Sequence, residues 1–181
     1  MLKRSMTPQA TQEAPERTSS SPGLPAPAVS YLIGVVSLAA LGSALALSRF
    51  PGLDLQIVFI WAAACLAGEL LLFSTASGRA HINLATSIHL AMVLFLDPGH
   101  IVAAVVLSRV AAKFVFKRQI WYRALFNVAQ VTVAVLAASL VYRILAGSTP
   151  LEFTLPALGH MAPAFVLAAL TYYVANIGTV T

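Results

Sequence analysis

The stretch Lys113 to Val131, KFVFKRQIWYRALFNVAQV, decides how the rest of the chain is read. Four of the eleven basic residues (Lys113, Lys117, Arg118 and Arg123) fall within it. Phe114, Phe116, Trp121, Tyr122 and Phe126 crowd around them, and apolar runs flank the cluster on both sides. Cationic heads beside Trp and Tyr, between two apolar segments, are the pattern of a turn at a membrane surface. The charged ends stay in water and lipid headgroup while the amphipathic rings settle at the interface. Placing this turn on the cytoplasmic side orients every other segment.

Composition points the same way. The chain has 181 residues, 59% of them apolar and 9% charged, with a mean hydropathy of +0.86. Soluble domains carry about 25% charged residues, so this inventory cannot cover a water-facing surface. An integral membrane protein is expected. A net charge of +5 would suggest nucleic acid if the protein were soluble. Here the basic residues sit at segment ends, where membrane topology accounts for them and no nucleic-acid partner is needed. The single cysteine, Cys65, lies in an apolar run, which excludes an internal disulfide and a thiolate metal site. It reads as a small packing residue.

Working outward, residues 1–28 hold five of the ten prolines and no apolar run. Such a segment cannot bury enough surface to offset its ordering entropy, and it reads as a disordered cytoplasmic tail. Residues 29–181 read as a transmembrane helical domain. Its apolar segments lie near 29–47, 55–73, 82–96, 101–116, 124–146 and 155–178. At 1.5 Å per residue, roughly 20 residues cross a core of about 30 Å. The segments near 82–96 and 101–116 are short, so a re-entrant hairpin competes there with two spans. Two spans are favoured, because flanking aromatic and basic side chains extend the effective length.

Charge counting sets the orientation. With the tail inside, Lys3, Arg4, Arg17, Arg79, Lys113, Lys117, Arg118 and Arg123 are cytoplasmic. Only Arg49 and Arg143 are outside, and Arg109 lies within a span. That asymmetry predicts an all-α integral membrane bundle of about six transmembrane helices with both ends cytoplasmic. A multi-pass membrane protein with a cytoplasmic N-terminus is the corresponding arrangement.

Polar residues inside a span are the candidates for function, because a charge at a helix centre costs about 2.5 to 3.5 kcal/mol on insertion scales. The candidate cluster is Glu69, Asn83, His89, Arg109, Lys113, Asn127, Gln130 and Asn176. Glu69 on the second helix is placed to pair with Arg109 or with Lys113, one turn further along the fourth. Asn83, Thr86 and His89 are spaced to share one face of the third helix. Asn127, Gln130 and Asn176 lie near the inner ends of the fifth and sixth. The plain alternative is that such groups only hydrogen-bond across helices and fix packing. His89 is a candidate proton or ligand site, although a lone helical histidine is more often a satisfied packing residue. No nucleophile with a base, no phosphate-cradling glycine loop and no metal-ligand spacing is present in the sequence. No catalytic activity, metal or cofactor is therefore expected. The lipid bilayer and a second copy of the chain are the expected partners.

The run WYRALFNVAQVTVAVLAASLVYRILAG, Trp121 to Gly147, resembles a recurring bacterial membrane module. In it a basic turn leads into a helix opening Leu-Phe-Asn-x-Ala-Gln, then an alanine-rich span ending in Val-Tyr and a glycine. Two short spans around a Pro-Gly turn, and a last span with an Asn like Asn176, add to the likeness, which covers roughly residues 55–181. The module is similar to the multi-span N-terminal input region of signalling proteins. Those proteins carry cytoplasmic HD-GYP phosphodiesterase, GGDEF diguanylate cyclase or histidine kinase domains. The resemblance implies a sensory or regulatory input domain, in cyclic-di-GMP signalling for the first two types. It also implies that this sequence is a fragment whose output domain lies beyond it. A small transporter or substrate-capture subunit and a structural membrane subunit are the competing readings.

Overall fold

The computed structural model describes residues 25–50, 52–74, 81–147 and 155–177. Helices run in chain order as α1 Ala26–Arg49, α2 Leu55–Leu70, α3 Ala85–Phe95, α4 Pro98–Val110, α5 Trp121–Ala146 and α6 Leu155–Ile177. Helix α4 continues directly into a π-helical segment, Ala111–Phe116. Between α2 and α3 the chain forms a small antiparallel hairpin, β1 Leu72–Ser74 on β2 His81–Asn83, with Phe73 opposite Ile82.

Local chemistry explains where the helices start. Asp54 caps α2, its carboxylate accepting the Gln56 and Ile57 amides at 2.8 and 3.3 Å. Two of the amides orphaned at a helix start are thereby satisfied. Helix α4 opens on Pro98 and α1 carries Pro27 in its first turn, where proline sacrifices no helical hydrogen bond. Helix α1 therefore begins three residues inside the expected tail. The rest of that tail, up to residue 24, lies outside the described residues.

The apolar segments near 55–73 and 82–96 do not become helix to their full length. Helix α2 stops at Leu70 and α3 starts only at Ala85, with Leu72–Ser74 and His81–Asn83 paired as strands. A short apolar run fits strand and helix equally, so periodicity alone does not separate them. Asn83 accordingly sits in β2 rather than on the His89 face of α3, which corrects the expected Asn83–Thr86–His89 alignment.

Among the described residues, three helices are long and apolar enough to cross a membrane: α1, α4 with its π segment (Pro98–Phe116), and α5. Helices α2 and α3, with 16 and 11 residues, rise about 24 and 16 Å, less than a core of about 30 Å. Helices α4 and α5 form the centre. Helix α4 packs on α1, α2, α3 and α5, while α5 packs on α1, α3, α4 and α6. Small residues make this close packing fit: Ala104, Ala134, Ala138 and Ala168 are fully buried beside Ile101, Met92 and Tyr172. The outward faces carry large apolar side chains, among them Leu41, Ile144 and Val174 at 61–71% exposure. A surface so broadly apolar is unsuited to water and suited to lipid.

Candidate functional site

Glu69, in the last turn of α2, is 2% exposed and meets three cations from one stretch of chain. Its Oε2 lies 2.9 Å from Arg109 Nη1, and its Oε1 lies 2.6 Å from Lys113 Nζ and 3.0 Å from Lys117 Nζ. Lys117 Nζ also reaches the Glu69 carbonyl oxygen at 3.4 Å. A buried charge needs partners of this kind, since desolvation costs several kcal/mol per ion.

The backbone of α4 brings those cations into line. Residues four apart overshoot a 3.6-residue turn, so Arg109, Lys113 and Lys117 would drift around a regular α-helix. Over Ala111–Phe116 the helix widens to the π form, with the Lys117 amide donating to the Ala112 carbonyl five residues back. The wider turn reverses the drift and returns Lys117 toward Glu69. Arg118 then adopts a left-handed conformation (φ 43°), which ends the helix in the manner usually left to glycine. One carboxylate thus faces three cations at the basic end of the bundle.

The second polar contact joins α3 to α6. His89 Nδ1 and the Tyr172 hydroxyl are 2.9 Å apart, and neither residue is more than 1% exposed. The other ring nitrogen, Nε2, is buried without a hydrogen-bond partner among the described residues. A third contact also holds α6: Gln130 Nε2 of α5 donates to the Asn176 carbonyl and to its side-chain oxygen. Asn127 is turned elsewhere, donating to Gln119 Oε1 of the basic turn at 3.3 Å.

The expected polar cluster is therefore several groups. Glu69, Arg109 and Lys113 come together; His89 stands apart with Tyr172; Gln130 meets Asn176; Asn127 joins the turn. The Asn83 side chain lies outside what the structure describes. Lys117 and Tyr172 are additions to the expected set. Lys117 was foreshadowed by the four-residue spacing after Arg109 and Lys113. Nothing in the sequence pairs α3 with α6, so Tyr172 carried no signal.

At the other end of the bundle, Arg143 Nη2 holds Asp97 Oδ1 at 2.9 Å and the Leu96 carbonyl at 3.1 Å, with its guanidinium 5.3 Å from the Phe50 ring. His100 Nε2 accepts the Asp54 amide at 3.0 Å. Among the described residues no three His, Cys, Asp or Glu side chains cluster as metal ligands. Comparison with protein-family models, curated proteins and solved structures gave no match.

Proposed function

We propose that the chain is a membrane-embedded sensory or regulatory input domain of a bacterial signalling protein, spanning the inner membrane six times with its N-terminus in the cytoplasm; the short α2 and α3 complete their crossings through local thinning of the bilayer and the segments that flank them. The observation that carries this reading is how α6 is held. Its outward face is exposed (Tyr173, Val174 and Ile177 at 52–71%), while two polar contacts, His89–Tyr172 and Gln130–Asn176, fasten it to the core. Helix α6 also packs Ala164 and Ala168 into the core against α5, so these discrete hydrogen bonds fix its register there, and a change of register is how a membrane event reaches a domain attached beyond it. The likeness of Trp121 to Gly147 to signalling input regions supports the same conclusion. A transporter would place His89 and Arg109 in an open site; instead they are packed beneath neighbouring helices, while three grooves among the described residues run along α1.

The signalling reading is tested by joining the chain through Thr181 to a diguanylate cyclase catalytic domain and measuring cyclic-di-GMP in cells. Tyr172→Phe leaves His89 Nδ1 buried and unpaired, a loss of about 1–3 kcal/mol from the docked state. At about 1.4 kcal/mol per factor of ten, basal output shifts at least several-fold at unchanged membrane levels. Unchanged output in both Tyr172→Phe and Gln130→Ala, with intact protein in the membrane, sinks the reading.

The topology has its own test. In a Cys65→Ala background, an impermeant maleimide applied to intact cells labels Asp97→Cys and reaches Gln119→Cys only after permeabilisation. The reverse pattern overturns the cytoplasmic placement of the basic turn.

A further inference from the structure

Between α1 and α5 runs an open groove of about 520 Å³. On α1 it extends from Leu38 to Arg49 and on α5 from Val133 to Arg143. At 1.5 Å per residue these stretches rise about 15–17 Å, half of a hydrocarbon core of about 30 Å. The groove therefore matches one leaflet. The small residues Gly42, Ala46 and Ala137 line it, and an apolar furrow of this length facing lipid suits an extended hydrocarbon chain.

The two ends of the groove differ chemically. Its lining is apolar except at one end, where Arg49 and Arg143 stand together, with Ser139 a turn below Arg143. Ser139 Oγ and Arg143 Nε are buried without hydrogen-bond partners among the described residues, and Ser139 is only 1% exposed. Arg143 engages Asp97 through Nη2, and among the described residues Arg49 forms no ion pair. Guanidinium forks with unspent donors suit a phosphate, which accepts several charge-assisted hydrogen bonds at once.

We infer that this groove holds one acyl chain of an anionic phospholipid, with its phosphate bound by Arg49 and Arg143. The site does not depend on the signalling reading, since any function of the bundle leaves it intact. It commits the chain to a lipid of the leaflet on the Arg49 side and makes Ser139 a polar contact just below the headgroup.

The test is native mass spectrometry of the detergent-purified chain with equal amounts of phosphatidylglycerol and phosphatidylcholine bearing the same acyl chains. Wild-type protein retains the anionic lipid preferentially. Arg49→Gln, at an exposed residue whose loss spares the fold, reduces that preference at least threefold; phosphatidylcholine adducts fall less, because the choline cation already offsets the charge of the same phosphate. Ala137→Phe, which fills the apolar part of the groove, removes the bound lipid of both kinds. Equal retention of the two lipids by wild type, undiminished preference in Arg49→Gln, or a dimer of the chain without lipid each overturns the inference.

Discussion

Glu69→Gln lowers the melting midpoint of the detergent-solubilised protein by on the order of 10 °C. Removing one partner of a buried ion pair costs about 3–5 kcal/mol, because the remaining charge is left desolvated. In a chain of this length each kcal/mol moves the midpoint by about 2–4 °C. The cost is high here because, among the described residues, Glu69 is the one carboxylate paired with Arg109, Lys113 and Lys117. Its neutralisation leaves three like charges facing one another. The cations are not equivalent to it. Arg109→Gln leaves two lysines on the carboxylate and relieves repulsion among the three, so its loss is less than half as large. Lys117, whose side chain is 28% exposed, contributes close to nothing when replaced by Gln. The decisive comparison is the double substitution. In a Glu69→Gln background, Arg109→Gln costs little or partly restores stability, because it removes one of the unpaired charges. Fully additive losses across that cycle would refute the hub role of Glu69.

How far the site could be read in advance depended on which physical constraint governed each residue. Glu69, Arg109 and Lys113 were legible because few charges are tolerated in a membrane and each has to find an opposite one at its own depth. Four-residue spacing put Arg109 and Lys113 on one face, and chain direction put them level with Glu69. Lys117 follows the same spacing but reads as an interfacial anchor, since a regular α-helix turns it away. The π segment that brings it back has no separate mark in AAKFVF. Asn83 was misplaced for a different reason: the apolar run after Arg79 fits a helix by composition, yet its first three described residues pair with Leu72–Ser74 as strand. The contact between His89 and Tyr172 joins residues 83 positions apart. It is fixed by tertiary packing alone, and a single sequence holds no trace of it.

Gly68→Val is the second substitution with a large expected effect, and it acts on the same cluster through the backbone. A Cβ at Gly68 would lie 2.8 Å from the tip of Ile88, 2.9 Å from the Ala85 amide nitrogen and 3.2 Å from the Ala85 Cα. The Ile88 tip can swing aside, but the Ala85 backbone moves only if α3 itself moves. Glycine is therefore what lets α2 and α3 cross this closely, and it does so one residue before Glu69. Overpacking of this kind costs about 1–3 kcal/mol or more, and valine also crowds the preceding turn. The melting midpoint falls by roughly 5–10 °C. Separating α2 from α3 also displaces Glu69 from cations held by α4, so Gly68→Val and Glu69→Gln are less than additive when combined. Gly34→Ala is the control, because a Cβ there meets nothing within 4 Å. It is neutral or gains up to about 1 kcal/mol from helix propensity alone. A Gly68→Val protein that melts with wild type shows that α3 yields freely at Ala85, and the close crossing then no longer accounts for the position of Glu69.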